Sequence, residues 1–242
     1  MSDVNVHNQP GSAAVVVDEL ELMQEWLPLQ GATILDLGCG KAVMSRRLLA
    51  DAGAARVVGL DTDRVQVDAL LASELPAGLT IQSGGAEAIP FPDATFDIVA
   101  MFKSLHHVPV AHMDTALAEV ARVLCPQGLL YVSEPVFTGE LNEIMRLFHD
   151  EGHVRAEALA AMARAVDRGL YTQVNEYHFS VPVRFRDFDD FQRRHINVTH
   201  TEHRIAPDVM ARIRAKFTSH IGDDGAAFER PMRINVLRKN QE

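Results

Sequence analysis

Short apolar runs alternate with amphipathic segments along the first 135 residues. Each run is typical of a buried β-strand, and most segments between the runs carry apolar positions three or four apart, which indicates a helix. The predicted strands cover residues 33–37, 56–60, 79–82, 96–102 and 129–133. Strands and helices that alternate at this spacing predict a parallel, doubly wound sheet with right-handed crossover connections.

The predicted helices are marked by apolar stripes. The first stripe consists of Val16, Leu20, Met23 and Leu27, the second of Val43, Met44 and Leu48, and a third helix covers residues 64–73. The fourth stripe consists of Met113, Leu117, Val120, Ala121 and Leu124, and it stops at the Cys-Pro-Gln-Gly sequence of residues 125–128. The stripes place one helix before the first strand and three between strands.

The regular alternation loosens after residue 135. Two more helices are predicted by stripes at Leu141, Ile144, Met145 and Phe148 and at Leu159, Met162, Ala163 and Val166. Residues 177–185 alternate in polarity and contain Pro182, which favours an antiparallel or edge strand. A helix from Pro207 and a strand near residues 232–236 follow. Together these elements predict an α/β, Rossmann-like fold: a seven-stranded, mostly parallel, doubly wound sheet with an N-terminal helix and a helical insertion after the fifth strand.

The turn after the first of these strands carries candidate chemistry. Its sequence, residues 36–40, is Asp-Leu-Gly-Cys-Gly, and two close glycines at a strand-to-helix turn let a ligand approach the backbone. A glycine pair alone is equally typical of an ordinary tight turn. Asp61 ends the second strand about 20 residues later, where a carboxylate can accept hydrogen bonds from both hydroxyls of a ribose. Nicotinamide-dependent oxidoreductases use the same geometry, so both cofactor classes fit these two features.

Six segments in register separate the two classes. They are residues 34–40 (ILDLGCG), 58–61 (VGLD), 85–92 (GAEAIPFP), 96–99 (FDIV), 105–108 (LHHV) and 118–124 (AEVARVL). In order and spacing, this set resembles class I S-adenosylmethionine-dependent methyltransferases of the ubiquinone/menaquinone-biosynthesis-like (methyltransferase type 11) group. The resemblance covers about residues 32–135 and implies S-adenosyl-L-methionine as the cofactor.

The resemblance also implies a set of cofactor-binding residues. Asp36, Gly38 and Gly40 would hold the methionine end, Asp61 the ribose, Thr62 the neighbouring adenosine face, and Ala86 with Glu87 the adenine edge, while Cys39, Phe102 and Lys103 complete the set. Three positions depart from the family pattern. Ala42 replaces a glycine, and Gly85 replaces an acidic residue, so that adenine recognition would shift to Glu87 or to backbone groups. Lys103 places a cation near the sulfonium, which we interpret as a contact for an anionic substrate.

His106 and His107 are the candidate catalytic residues. They follow the fourth strand, at the carboxyl edge of the sheet where open α/β folds bind ligands, and either could act as a base for an acceptor that must lose a proton. The alternative is that the pair, like Glu134 after the fifth strand, only packs at a strand end. We predict no metal site, because Gly152 interrupts the helix that would align His149 with His153.

Composition and net charge restrict the classes of binding partner and the cellular setting. A formal net charge of −10 disfavours a nucleic-acid interface, and no run of about 18 apolar residues predicts a membrane span. Cys39 and Cys125 suggest neither a disulfide framework nor a zinc site, so we predict a cytoplasmic protein. Arginines and histidines gather at Arg193, Arg194, His195, His200, His203 and Arg204, either as a solvated face or as a contact for a small anionic group.

These features predict methyl transfer from S-adenosyl-L-methionine to an O, N or C acceptor on a small-molecule metabolite, with a homodimer as a compatible assembly. The alternatives are an NAD-dependent oxidoreductase and a non-catalytic S-adenosylmethionine-binding protein. We expect one domain over residues 1–242. It would comprise a flexible tail (1–13), a cofactor-binding core (14–135), a helical substrate cover (136–175) and a segment that completes the sheet (176–242).

Overall fold

A computed structural model describes residues 5–7, 14–15, 18–197 and 204–241. Within these ranges the strands form one ten-stranded sheet. The strands are β1 (Asn5–His7), β2 (Ala14–Val15), β3 (Thr33–Leu37), β4 (Arg56–Asp61), β5 (Leu79–Ser83), β6 (Phe96–Phe102), β7 (Leu124–Pro135), β8 (Tyr171–Phe185), β9 (Ile221–Gly222) and β10 (Gly225–Lys239). Their order is β1-β8-β10-β7-β6-β3-β4-β5, with β2 paired to β8 and β9 to β10.

The sheet confirms the predicted Rossmann-like α/β class. Strands β3 to β7 run parallel to one another. Strand β10 lies between β7 and β8 and runs antiparallel to both. Among the described residues, seven strands have five or more residues, and β1, β2 and β9 are short additions at one end of the sheet. The antiparallel setting predicted for β8 is also confirmed.

Helices cover both faces of the sheet. They are α1 (Glu19–Trp26), α2 (Val43–Ala50), α3 (Arg64–Leu71), α4 (Met113–Val123), α5 (Glu140–Met145), α6 (Gly152–Asp167), α7 (Phe188–Phe191) and α8 (Pro207–Thr218). Short 3-10 turns lie at Leu105–His107 and Val110–His112, and a π-helical turn at Gln192–Ile196 follows α7. None of the helices in the described ranges combines the length and the apolar character needed to cross a membrane.

Alternate residues of the central strands point into two separate hydrophobic cores. In β3, Leu35 and Leu37 pack toward α4 and α6, whereas Ile34 packs toward α1, α2 and α3. This is the alternation expected of a strand covered on both faces. A third core, centred on Phe185, Phe191 and Phe217, lies where the far ends of β8 and β10 meet α5, α7 and α8.

Two predicted helix faces are rotated in the structure. In α2, Val43 is 60% exposed, whereas Ser45 and Leu48 are buried, because the left-handed backbone at Ala42 starts the helix with Ser45 facing Asp36. In α6, Leu159 and Ala163 point outward. The buried positions of α6 are Ala158, Ala161, Met162 and Ala165, since this mostly alanine face lets the helix approach α4 closely.

Several element bounds also differ from prediction. β7 begins at Leu124, not after Gly128, because Leu124 already pairs with Phe96 and residues 125–128 form a bulge with Gln127 at φ +64°. β8 begins at Tyr171, so the predicted cover over 136–175 includes the first residues of a strand. Val16, the first position of the predicted N-terminal stripe, lies outside the described residues; Leu20 and Met23 are buried in α1 as predicted.

Candidate active site

The turn between β3 and α2 is built from left-handed backbone. Gly38 has φ +81° and Gly40 has φ +52°. A Cβ at Gly38 would lie 2.5 Å from the Cβ of Ser104, in the loop after β6. The Ser104 hydroxyl donates a hydrogen bond to the Leu37 carbonyl at 2.7 Å, which holds that loop against the turn. Gly38 is therefore required both by its backbone conformation and by the close approach of this loop.

Asp61 braces the same turn from the end of β4. Its carboxylate accepts the backbone N–H of Gly40 at 2.7 Å and that of Asp63 at 2.8 Å. Asp63 in turn caps α3, because its side chain accepts the N–H groups of Val65 and Gln66. A carboxylate has about four lone-pair sites, so each oxygen of Asp61 can still accept a hydroxyl donor. This bracing role was not visible in the sequence.

Asp36 lies buried beneath the turn. Its side chain is 1% exposed, and the Ser45 hydroxyl donates a hydrogen bond to Oδ2. Burial, reinforced by the negative charge of Asp61, raises the pKa of Asp36 to about 6. Among the described residues, Oδ1 of Asp36 has no hydrogen-bond partner. An unpartnered buried carboxylate oxygen next to a glycine turn fits a cationic group such as the ammonium of S-adenosylmethionine.

A cleft of about 650 Å³ opens along this edge of the sheet. The predicted cofactor residues that line it are Gly38, Gly40, Asp61, Thr62, Ala86, Glu87 and Lys103, and sequence reasoning missed Gln66, Ser104 and His149 among others. Asp36, Cys39 and Phe102 do not line the cleft. Cys39 packs its sulfur against Gly59 of β4, and burial raises its pKa to about 12. Phe102 packs on Tyr131, with 5.6 Å between ring centroids.

The space above Gly85 is occupied by Glu87. A Cβ at Gly85 would lie 2.4 Å from Oε2 of Glu87, so the Glu87 carboxylate stands where a side chain at position 85 would begin. Whether Glu87 or backbone groups take over the task of the acidic residue that the family pattern places at position 85 stays a prediction. Ala86 is buried against the core and presents mainly its backbone.

A second, smaller cavity of about 190 Å³ adjoins the cleft. Lys103, His107 and His149 line both spaces, so they mark the junction between them. The remaining lining of the small cavity comes from His106, from the end of β7 and the loop after it, from α5, from the start of α6, from residues 194–195 and from residues 229–231 of β10. Lys103 has a left-handed backbone, with φ +55°. That conformation is uncommon for residues other than glycine, and residues that adopt it cluster at functional sites.

The two candidate histidines occupy different surroundings. His106 is buried, and its Nδ1 is hydrogen-bonded to the Glu134 carboxylate at the end of β7. The other Glu134 oxygen accepts the N–H of Leu105 at 2.9 Å and that of His106 at 3.4 Å, so Glu134 fixes the turn as well as the ring. His107 is exposed to both spaces at the junction, with its ring centroid 4.1 Å from that of His106.

One group in the described ranges has metal-ligand geometry: His106, His107 and Glu151 have donor atoms within 4.8 Å of one another. The oxygens of Glu151 are already bonded to His149 Nε2, at 2.9 Å, and to Arg155, so an ion would have to displace these partners. His153 is not in this group, since α6 begins at Gly152 and separates it from His149 as predicted. His200 and His203 of the predicted cationic cluster lie outside the described residues.

The topology and the site together define a class of protein. An antiparallel strand, β10, lies between β7 and β8 of the otherwise mostly parallel sheet, and the glycine turn lies at the carboxyl edge of that sheet. A Bacillus halodurans C-125 protein superposes with a TM-score of 0.65 at 16% identity, over 92% of this chain and 99% of that one. The [4+2]-cyclase SpnF superposes with a TM-score of 0.58 at 20% identity, over 92% and 80%. These likenesses show that the chain shares a Rossmann-like α/β fold with both structures.

Comparison of sequences identifies a family model that matches part of the chain. Residues 35–132 match the family described as "Methyltransferase domain". A Mycobacterium ulcerans phthiotriol/phenolphthiotriol dimycocerosates methyltransferase is 32% identical over 48% of this chain and 42% of its own. The ubiquinone/menaquinone biosynthesis C-methyltransferase of Hahella chejuensis is 30% identical over 60% and 59%. Residues 35–132 are therefore similar to a methyltransferase domain, and the chain spans only about half the length of these curated relatives.

Proposed function

We propose that the protein transfers a methyl group from S-adenosyl-L-methionine to an O, N or C acceptor on a small-molecule metabolite. The observation that carries this proposal is the pair of adjoining cavities. The larger one follows the glycine turn and Asp61, and the smaller one meets it at Lys103, His107 and His149. A donor in the first space and an acceptor in the second would meet at this junction, where methyl transfer requires alignment and exclusion of water.

The cofactor supplies an activated methyl group on a sulfonium. In our proposal the backbone of Gly38 and Gly40 lies against its methionine end, and Asp61 accepts hydrogen bonds from the ribose. The free oxygen of Asp36 attracts the ammonium, and Glu87 meets the adenine edge. Cys39 would contribute only backbone, because its thiol is packed against β4.

His107 is our candidate base for an acceptor that must lose a proton. It lies at the junction, whereas His106 is held in place by Glu134. We assign His106 and Glu134 positioning roles, since Glu134 fixes both the ring of His106 and the backbone that carries His107. A neutral imidazole at this place can accept the proton as the acceptor attacks the methyl carbon.

The relatives support a small-molecule acceptor. Their names include the O-methyltransferase cnsE of Penicillium expansum, the cypemycin N-terminal methyltransferase of a Streptomyces species and the C-methyltransferase of Hahella chejuensis. The family thus covers O, N and C acceptors. We propose a small metabolite for this chain, and we place its cover in α5 and α6, within the predicted segment 136–175.

We also propose that the protein acts in the cytoplasm, needs no metal ion and has no nucleic-acid partner. The net charge of −10 and the two free cysteines support this setting. A homodimer is compatible with the proposal, and sedimentation would establish the assembly. A chelator is expected to leave turnover unchanged.

Equilibrium titration with S-adenosylhomocysteine and with NAD tests the cofactor class. We expect S-adenosylhomocysteine to bind and NAD not to bind; binding of NAD alone would overturn the proposal in favour of an oxidoreductase. Incubation with a methyl-labelled donor and pooled small metabolites tests turnover. Transfer of label to any acceptor excludes a non-catalytic binding protein.

A further inference from the structure

The smaller cavity is cationic in a strongly acidic protein. Four of its lining side chains are positively charged and two are carboxylates, whereas the whole chain has a net charge of −10. The cationic residues are Lys103, Arg155, Arg194 and Arg230, and the carboxylates are Glu151 and Glu229. A concave site of one sign concentrates ligands of the opposite sign.

Two of the arginines in this cavity are already engaged. Arg155 is hydrogen-bonded to the Glu151 carboxylate. Arg194 donates to the Arg184 carbonyl at 2.7 Å and lies over the Phe185 ring, 4.6 Å from its centroid. Both side chains therefore have local partners that hold their guanidinium groups in place.

Arg230 differs from its neighbours. It is half-buried on β10, and among the residues that the structure describes it has neither a hydrogen-bond acceptor nor an ion-pair partner for its guanidinium. Burial and the positive charges of Arg155 and Arg194 lower its pKa, against the opposing pull of Glu151. Burial, together with the positive charges of Arg230 and Arg194, lowers the pKa of His195 to about 4, so this ring is neutral near pH 7.

A half-buried guanidinium that has no ion-pair partner keeps its N–H donors available for an anionic ligand. Its planar fork matches the two oxygens of a carboxylate or phosphate, and such bidentate pairs are among the strongest hydrogen bonds in proteins. The small volume of the cavity, about 190 Å³, compares with about 300–1,000 Å³ for pockets that enclose drug-sized ligands. It therefore suits a small anionic group or the anionic end of a longer molecule.

We propose that the methyl acceptor carries a carboxylate or phosphate that Arg230 binds. This group anchors the acceptor at the β10 side of the cavity, and the atom to be methylated lies at the opposite end, beside Lys103 and His107. Lys103 adds a second positive charge at the junction. The inference rests on the proposed methyl transfer and specifies the class of its acceptor.

The test measures binding of simple anions to protein saturated with S-adenosylhomocysteine. Benzoate, phenyl phosphate and the neutral benzamide are titrated by ligand-observed NMR. At least one of the two anions is expected to bind at least tenfold more tightly than benzamide, and the tighter anion identifies the group as carboxylate or phosphate. Equal binding of all three compounds would overturn the proposal.

Variants of β10 make the test specific. Arg230→Gln is expected to weaken binding of the preferred anion roughly ten- to hundredfold and to leave S-adenosylhomocysteine affinity unchanged. Arg238→Gln is the matched control, since Arg238 is exposed on the same strand and lines neither cavity. It should alter neither affinity.

Unchanged anion binding in Arg230→Gln, or an equal loss in Arg238→Gln, contradicts the assignment. Should Arg230→Gln fail to fold, Arg230→Lys decides, because it keeps the charge but loses the planar fork; wild-type anion affinity there also contradicts the proposal. Failure of the methyltransferase proposal itself would appear separately, as absence of S-adenosylhomocysteine binding in the unmodified protein.

Discussion

The cleft and the smaller cavity are built in different ways. The cleft uses backbone turns at the ends of consecutive parallel strands, and its lining falls almost entirely within residues 37–109. The smaller cavity combines residues 103–107, 135–145, 149–155, 194–195 and 229–231. Its parts come from five separate stretches of chain and are side chains rather than turns. A cofactor site of the first kind is specified by local sequence, whereas a site of the second kind exists only in the folded protein.

Replacing Gly38 is expected to break the cleft and spare the smaller cavity. Gly38→Ala puts a methyl group 2.5 Å from Ser104 and also a side chain on left-handed backbone. We expect a loss of several kcal/mol in unfolding free energy, and S-adenosylhomocysteine binding too weak to measure by calorimetry. Gly31→Ala is the matched control, because Gly31 has φ +75° and no atom within 4 Å of the added Cβ. It should lose only about 1 kcal/mol of stability and bind normally.

Replacing His107 is expected to affect turnover at the junction without disturbing the cleft. His107→Ala should lower kcat roughly hundredfold or more for an acceptor that must be deprotonated, with S-adenosylhomocysteine affinity unchanged in calorimetry. His112→Ala, an exposed histidine that lines neither cavity, is the control. Equal kcat in His107→Ala and the unmodified protein, measured with an acceptor that loses a proton, would remove His107 as the base.

Asp36 is expected to make the unfolding free energy of the protein depend on pH. Its pKa is raised to about 6, so its contribution to stability is complete below pH 3.8 and is lost as the pH rises through 6. Asp36→Asn should flatten this part of the pH profile and raise the unfolding free energy at pH 8 by up to about 3 kcal/mol. Affinity for S-adenosylhomocysteine should fall at the same time, through loss of the negative charge that lies beneath the glycine turn and attracts the ammonium. Denaturant unfolding at pH 5 and pH 8 measures the first effect, and identical pH slopes would contradict it.

Asp61 tests the ribose contact. Asp61→Ala should weaken S-adenosylhomocysteine binding by about 1–3 kcal/mol, because both the sugar contact and the brace on Gly40 are lost. Asp61→Asn keeps one acceptor oxygen and should lose less. Asp68→Ala, an exposed carboxylate on α3, serves as the control for a change of one charge. Unchanged affinity in Asp61→Ala would refute the ribose assignment.

Sequence patterns predicted the strands of the core closely, for a physical reason. β3 and β6 have the predicted bounds, since both strands are buried on two faces and their apolar runs have no other setting. The faces of α2 and α6 were predicted less well. Periodicity finds the largest apolar side chains, but α6 packs through alanines that allow close approach to α4, and α2 buries Ser45 to reach Asp36.

The site residues show the same difference between what local sequence predicts and what only the folded protein reveals. Gly38, Gly40 and Asp61 were predicted from motif and spacing, and they do come together at one cleft. Arg230 gave no signal, because an arginine on an alternating strand is ordinarily a solvated residue, and only the antiparallel insertion of β10 beside β7 brings it to the cavity. The displacement of Cys39 and Phe102 from the lining was equally invisible, since side-chain direction at a turn depends on the neighbouring strand.

The hydrogen bonds that Glu134 accepts from residues 105 and 106 have a consequence for how selectivity for the methyl acceptor can change. Glu134 belongs to the central sheet, and it holds the backbone of residues 105 and 106, so the wall that carries His107 has an anchor outside α5. Substitutions in α5 can therefore reshape the smaller cavity without misaligning the methyl donor. Variant libraries confined to residues 140–145, which include Leu141, Asn142 and Met145 of the smaller cavity but no residue of the cleft, should retain cofactor affinity while exchanging one acceptor for another.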